Sequence, residues 1–432
     1  GRFVGMEGLA ALSIIMPIQM IVFGAGNMIS VGGASLISRL IGQREQQRAE
    51  RALGNSIFFA IVFSAFITLI IAPFAGFWLK LVGVSDNVLP YASGYLTIVM
   101  AGSLFNLSGA VLLALVRAEG NARVNMISMI IQSVLNVALD ALFIIVMKMG
   151  INGAALAMVI SQGIGLVYVM SYYFTGNSYL KIRWRNLLPD KKIVKDIFAI
   201  GISQFIKAIT DCLSAMVIIK MVGQYGGDIG LGTFGILLRI MNFASMPSMV
   251  FGQAMQPILG FNYGAKRFRQ VLKSIMYPVL IASGFGLIAL AILVSVPGPI
   301  IRIFTSDPAL IESSVSGARI MYLGLAVFGF FAVGQLVFPS TGKAWSTFLV
   351  SVLRPLCLIT PTALILPRFF GVDGVWMTFP VTDTMSFLLV LGFLIPLLRK
   401  FRKTGKEQDP AAPVNAPVKE LLSIPVSTVD LE

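Results

Sequence analysis

The sequence predicts an all-α polytopic membrane protein of two six-helix bundles related by pseudo-two-fold symmetry, with the first helix absent from this chain. Three observations predict this fold class: an apolar composition, basic residues concentrated in alternate loops, and an internal duplication. Of the 432 residues, 57% are hydrophobic and 12% are charged, and the mean hydropathy is +0.87. Such a composition excludes a soluble globular domain.

Apolar runs long enough to cross a membrane recur along the chain. A bilayer core of about 30 Å needs roughly 20 helical residues, and eleven runs meet that length. They lie near 8–38, 53–82, 88–116, 124–147, 151–174, 194–222, 230–262, 272–304, 311–338, 345–367 and 374–398.

The net charge of +14 is distributed as a membrane topology requires, which argues against a nucleic-acid partner. Lys and Arg collect in alternate loops, as the positive-inside rule describes. These basic loops lie around 39–51, 117–123, 181–195, 266–273, 343 and 399–406. We therefore expect a multi-pass protein of the inner (plasma) membrane with its basic loops and C-terminus in the cytoplasm.

Two halves of the chain repeat the same plan at a nearly constant offset. The offset of 222 relates Gly42 to Gly264, Arg44 to Lys266 and Gly120 to Gly342, and an offset of 221 relates Gly150 to Gly371. The counterpart of the helix near 194–222 would fall before residue 1, so we expect that a first helix is missing. An even number of helices per half makes the repeats parallel, with their axis along the membrane normal.

The duplication and the charge pattern together define the expected organisation. The first bundle, lacking its first helix, spans 1–175, a basic cytoplasmic linker spans 176–193, and the second bundle spans 194–400. Residues 401–432 are rich in Pro and polar residues and predict a disordered cytoplasmic tail.

Enzymatic chemistry is not predicted. The chain has no His, no Cys/His metal cluster and no phosphate-binding Gly loop with its Lys, so we expect neither a catalytic site nor a cofactor. The informative residues are ionisable side chains within apolar helices, because they are costly in hydrocarbon and mark functional sites by default.

Asp140 is the foremost of these residues. Asn136 lies one helical turn away on the same face, and Asp140 lies roughly 12 Å from the outer end at Lys148 at about 1.5 Å per residue. Such a carboxylate binds either H⁺ or Na⁺, or it is a structural group hydrogen-bonded to neighbouring helices. If the next helix is a neighbour, further candidates for lining an outward-opening cavity are Met158, Ser161, Gln162 and Gln132.

A second charged group is predicted in the second half. Lys207 and Asp211 are spaced i, i+4, and Arg239 on the following helix lies at a depth that allows it to meet Asp211. Pairing makes a structural ion pair the cheaper explanation, and a direct substrate role is the alternative. Arg354 is left without a predicted partner or site.

Three segments carry a family resemblance: 252–267, GQAMQPILGFNYGAKR, and the shorter Arg117–Asn121 and Gly153–Ala157. They resemble motifs of the multidrug and toxic compound extrusion (MATE) family, particularly its bacterial multidrug exporters, and the first is similar to the family signature at the end of its eighth helix. The resemblance covers about residues 1–400. It implies two bundles around a V-shaped cavity, and export of organic cations or drugs in exchange for H⁺ or Na⁺.

The resemblance also implies roles for particular residues. Asn136 and Asp140 match family positions that bind the coupling ion, whereas Met158 stands where some relatives have a Thr. H⁺ is therefore preferred and Na⁺ at Asp140 stays open. The expected partners are drug substrates and membrane lipid, with no nucleic acid. The protein is expected to be a monomer. The alternative function is a lipid-linked precursor flippase of a related superfamily.

Overall fold

The computed structural model describes residues 5–81, 84, 87–176 and 178–408, and this part of the chain is helical with no strand. Its first half contains α1 (Gly5–Gly42), α2 (Gln46–Ile71), α3 (Ala75–Leu81), α4 (Leu89–Ala101), α5 (Ser103–Ala118), α6 (Ala122–Asp140) and α7 (Gly150–Phe174). Its second half contains α8 (Lys191–Gly264), α9 (Phe268–Ser295), α10 (Pro297–Arg302), α11 (Pro308–Met321), α12 (Leu325–Ser340), α13 (Ala344–Val352) and α14 (Thr360–Gln408). π-Helical turns follow α6 at Ala141–Val146 and α13 at Leu353–Ile359.

The predicted apolar segments coincide with helices, with pairs of helices, or with halves of kinked helices. Helix α8 is two helices joined at Gly227 (φ 57°, ψ −154°), and α14 is two helices joined at Gly371 (φ 58°, ψ −139°). Only glycine adopts such a backbone without strain. By length and hydropathy alone, seven helices of the described residues can span a membrane, or eight if the bent pair α4 and α5 is one span.

The duplication is confirmed at the level of the backbone. Residues related by the sequence offset adopt the same uncommon positive φ in both halves. The pairs are Arg44 (61°) with Lys266 (57°), Gly120 (94°) with Gly342 (75°), and Gly150 (57°) with Gly371 (58°). Non-glycine residues with positive φ are uncommon. The shared positive φ of Arg44 and Lys266 therefore indicates a duplication rather than a coincidence.

Two separate hydrophobic cores correspond to the two predicted bundles. The first core extends from Ala11 to Ile197, and the second extends from Ile218 to Phe401. The fold class predicted from sequence is therefore confirmed. Ile197 belongs to α8, so the beginning of this helix packs with the first bundle. Helix α14 continues to Gln408, and the rest of the predicted tail, 409–432, lies outside the described residues.

One buried side chain of α2, Asn55, makes three hydrogen bonds to the linker between the bundles. Asn55 donates to the carbonyl oxygens of Asn186 and Leu188, each at 3.0 Å, and accepts from the backbone N–H of Asp190 at 2.8 Å. Asp190 then caps the start of α8 by accepting from Lys192 and Ile193. This buried amide thus helps to fix where α8 begins.

The two bundles meet closely at the ends that carry the basic loops. There α1 and α8 approach so tightly that a Cβ on Gly32 would overlap the carbonyl of Ile197, and a Cβ on Gly201 would overlap that of Met28. Ser35 donates a hydrogen bond to the carbonyl of Pro339. The hydrogen bond from the Ser35 side chain reaches α12 of the second core, and together with the close approach of α1 and α8 it closes the space between the bundles on this side.

Candidate functional site

A cavity of about 510 Å³ lies between the first bundle and the first half of α8. Its wall combines flexible apolar side chains, neutral amides and one pair of opposite charges. The lining residues are Met16, Gln19, Met20, Val22, Phe23, Asn27, Val99, Met100, Ser103, Asn106, Met158, Gln204, Lys207, Ala208 and Asp211. A mostly apolar cavity with a few polar groups is the usual form of a small-molecule site, and methionine adapts to ligands of varied shape.

The cavity lies toward the ends of the bundles opposite the basic loops. Helix α1 lines it with residues from Met16 to Asn27, and the backbone of the same helix approaches the α8 backbone most closely from Met28 to Gly42. Asn27 and Gly42 are separated by about 22 Å along the helix at about 1.5 Å per residue. The molecule is therefore closed on its basic side and has its cavity on the other side.

Lys207 and Asp211 form an ion pair on the cavity wall. Lys207 Nζ lies 2.5 Å from Asp211 Oδ2, and the side chains are 29% and 34% exposed. Arg239, which the sequence placed within reach of Asp211, is exposed and makes no ion pair among the described residues. The predicted pairing of Lys207 with Asp211 is present, and Arg239 does not take part in it.

Asp140 lies where α6 changes into the π-helical turn Ala141–Val146. Such π-bulges occur frequently at functional sites. Its Oδ1 is buried and has no hydrogen-bond partner among the described residues, which disfavours a merely structural role. Asp140 is not part of the cavity lining. In the described part of the chain, no group of three or more Cys, Asp or Glu side chains is arranged to hold a metal ion.

Tyr95 lies near Asp140 and near one residue of the cavity wall. Tyr95 belongs to α4 and is 7% exposed, and its phenol interacts with the side chain of Gln19 and, electrostatically, with the carboxylate of Asp140. Gln19 is a lining residue. Tyr95 therefore has Gln19 of the cavity wall on one side and Asp140 within electrostatic range on the other, and the sequence argument did not identify it.

Helices α6 and α7 are neighbours, as the placement of the other candidate residues assumed. Ser128 donates to the carbonyl of Gly165 at 3.3 Å, and Gln132 lies against Gly165 and donates to Ser128 at 3.0 Å. The hydroxyl of Ser161 is buried and donates to its own helix at Ala157.

Only part of the predicted lining faces the cavity. Met158 lines it, whereas Gln132, Asn136, Ser161 and Gln162 lie outside the lining of this cavity. Oε1 of Gln162 is buried and, among the described residues, has no hydrogen-bond partner. Periodicity along one helix cannot tell which face meets a cavity formed with α1 and α8, because that depends on packing between helices.

Arg354 has a partner that the sequence analysis did not assign. Its guanidinium Nη2 lies 2.6 Å from Oδ1 of Asp383 and stacks over the Phe331 ring at 4.6 Å from the centroid. Asp383 is 1% exposed. The sequence did contain a signal for this pair. Asp383 is an acidic residue inside the apolar run 374–398, and a carboxylate is as costly there as Asp140 is in its own helix.

The geometry indicates the class of protein. The two duplicated bundles of membrane-spanning helices are closed together at one end and hold a cavity between them, which is the arrangement of a transporter. The MatE family model matches residues 1–142 and 205–364, and the chain accordingly belongs to the MATE family of multidrug transporters. The family resemblance drawn from the sequence motifs is thereby confirmed.

Curated relatives and solved structures agree with this assignment. The multidrug export protein MepA of Staphylococcus aureus (strain NCTC 8325 / PS 47) is 24% identical over 394 residues, covering 90% of this chain and 86% of its own length. A protein described as a MOP superfamily transporter from Pyrococcus furiosus has the same fold, with a TM-score of 0.88, 21% identity, and coverage of 92% and 90%. The outward-facing conformation of a multidrug resistance MATE transporter also gives 0.88, at 22% identity and coverage of 93% and 90%.

Proposed function

We propose that this protein is a secondary active multidrug exporter of the plasma membrane that moves organic cations out of the cell in exchange for H⁺. The observation that carries the proposal is Oδ1 of Asp140, which is buried without a hydrogen-bond partner among the described residues. We assign no enzymatic reaction and no cofactor to the chain.

Asp140 is suited to carry the coupling ion because its ionised form is poorly satisfied. One oxygen of the carboxylate is buried without a partner among the described residues, which disfavours the ionised form, and taking up a cation reduces that cost. Nearby, Asn136 offers a neutral amide one turn away. Release of the ion is then favourable only when the surroundings of the carboxylate change.

H⁺ fits the described surroundings better than Na⁺. A sodium ion needs several oxygen ligands at once, whereas a proton needs one carboxylate oxygen and one acceptor. Met158 stands where the family resemblance leads us to expect an oxygen ligand from α7, and its soft thioether is a poor ligand for Na⁺. The Tyr95 phenol near Asp140 and Gln19 provides a polar group toward the cavity.

The mechanism is alternating access between two arrangements of the bundles. The arrangement described here is closed at the basic end, which the positive-inside rule assigns to the cytoplasm, so its cavity belongs to the outward-facing state. The substrate enters from the cytoplasm in the opposite state and leaves here. H⁺ drives the cycle only if Asp140 binds it with different affinity in the two states.

The flippase alternative loses support from the ion pairs. A site for a lipid pyrophosphate requires several unpaired cationic groups. Lys207 pairs with Asp211, and Arg354, which the sequence left unpaired, pairs with Asp383. The cavity wall presents no unpaired cation among its described residues, which favours a substrate other than a polyanion.

The test is transport by the full-length protein in proteoliposomes under one gradient at a time. An imposed H⁺ gradient is expected to drive counter-movement of a fluorescent organic cation, and a Na⁺ gradient of the same size is expected to drive none. Transport under the Na⁺ gradient alone would replace H⁺ by Na⁺. Transport under neither gradient would overturn the antiport mechanism.

A further inference from the structure

The cavity wall carries one acidic and one basic side chain among its described residues, and they neutralise each other. Lys207 and Asp211 are one turn apart on α8, and the amides of Gln19, Asn27, Asn106 and Gln204 are the other strongly polar groups in the lining. The cavity of this state therefore presents no net charge. A cationic substrate meets a carboxylate that is already occupied.

The ion pair is accessible enough to be exchanged. Both side chains keep about a third of their surface exposed, so Lys207 can swing into the water of the cavity without losing its hydration. Its long, flexible stem makes this movement inexpensive. A pair of this kind is weak, because ion pairs in contact with water contribute little, and another cation in the cavity can displace the ammonium group.

We propose that Lys207 is a tethered competitor that displaces cationic substrates from Asp211. An organic cation binds by taking the place of Nζ at the Asp211 carboxylate while its apolar part contacts the methionines of the wall. When the cation leaves, Lys207 returns to Asp211, so the carboxylate is never left unpaired. The substrate class that fits is an amphiphilic monocation.

This inference rests on the proposed export of organic cations and adds that the substrate and the coupling ion bind at different sites. Asp211 lines the cavity and Asp140 does not. Substrate and coupling ion therefore use different carboxylates, and expulsion of the substrate is assisted from within α8. Lys207 acts through Asp211, so its role is to set affinity and release rather than to carry the ion.

The experiment measures equilibrium binding of tetraphenylphosphonium, a permanent monocation, to the purified full-length protein. Lys207→Gln is expected to bind it about fivefold more tightly and release it more slowly, since the competitor is gone and Asp211 is free. Asp211→Asn is expected to bind it about fivefold more weakly. Triphenylphosphine oxide, a neutral analogue, is expected to bind all variants equally.

Two further variants keep the test decisive. Lys207→Arg retains the charge and hence the fold, and its forked guanidinium holds a carboxylate more firmly, so tetraphenylphosphonium should bind about threefold more weakly. Lys220→Gln removes an exposed charge from the same helix that forms no ion pair among the described residues, and it should change nothing.

The outcomes separate this inference from the proposed function. Unchanged affinity in both Lys207 variants, or equal changes for the neutral analogue, would overturn the tethered-competitor role while leaving antiport intact. The binding measurement uses no ion gradient, so failure of gradient-driven transport would overturn the export mechanism and leave this result standing. Absence of saturable cation binding to the wild-type protein would overturn both.

Discussion

Gly42 and Gly264 occupy equivalent positions in the two halves, and each packs against the helix that contains the other. A Cβ on Gly42 would overlap the carbonyl of Phe261, and a Cβ on Gly264 would overlap the carbonyl of Arg39. Arg39 and Phe261 are themselves related by the offset of 222. The closure at the basic end is therefore built from one contact used twice around the pseudo-two-fold axis.

This contact predicts how the closed end can be loosened. Gly264→Ala inserts a methyl group where the backbones of α1 and α8 touch, so the helices must separate, at a cost of about 1–3 kcal/mol. In a background without Cys212 and Cys357, a cysteine at the buried position Ser38 should then react faster with a water-soluble maleimide.

A matched control is available on the same helix. Gly235 of α8 has no atom within 4 Å of an added Cβ, so Gly235→Ala should leave the labelling rate at Ser38→Cys unchanged. Equal labelling rates in the Gly264→Ala and Gly235→Ala proteins would mean that the glycine contact does not hold the basic end closed.

The buried pair of Arg354 and Asp383 predicts a strong dependence of stability on both partners. Asp383→Asn leaves the Arg354 guanidinium in the helix interior without its carboxylate, and loss of one partner of a buried pair costs about 3–5 kcal/mol. The double variant Arg354→Gln, Asp383→Asn should lose less stability than the sum of the losses in the two single variants. Thermal unfolding of the four proteins in detergent measures this, and additive losses would show that the pair is not coupled.

Glu119 predicts a pH-dependent component of stability. It follows α5 in the loop before α6, where burial raises the pKa of its carboxyl to about 7, although hydrogen bonds from Ser178 and Tyr172 lower it in part. Because the folded state holds the proton more tightly than the unfolded state, stability is highest at acidic pH. It should fall by up to about 3 kcal/mol between pH 4.5 and pH 7.

Glu119→Gln isolates that component, because glutamine keeps the shape and does not titrate. The variant should lose little or no stability over this pH range, and it should be more stable than the wild type at pH 8. Thermal unfolding of both proteins from pH 4.5 to pH 8 makes the comparison. Parallel curves would assign the pH dependence to other groups.

The sequence was sufficient for the architecture because its signals are local or periodic. Hydropathy located the helices, and the offset relating Arg44 to Lys266 identified a duplication that their backbone angles repeat. Asp140 was found by the cost of a carboxylate in an apolar helix. Each of these inferences needs one segment, or two segments compared in sequence.

Contacts between side chains of different helices could not be predicted from single segments of the sequence. Tyr95 lies near Asp140, and Asp383 reaches Arg354, only because of how the helices rotate and pack. The same limitation left Gln132, Ser161 and Gln162 as candidates for the cavity wall and left out Asn27 and Asn106. These two amides lie in apolar runs, and that was their only sequence signal.

Proton release on substrate binding tests the role of Asp140 most directly. The purified wild-type protein, held at a pH where Asp140 is protonated in weakly buffered solution, should release about one H⁺ for each tetraphenylphosphonium bound, since antiport requires the substrate to favour the state with lower H⁺ affinity. Asp140→Asn should bind the cation and release no proton. Equal proton release from both proteins would contradict the assignment of the coupling ion to Asp140.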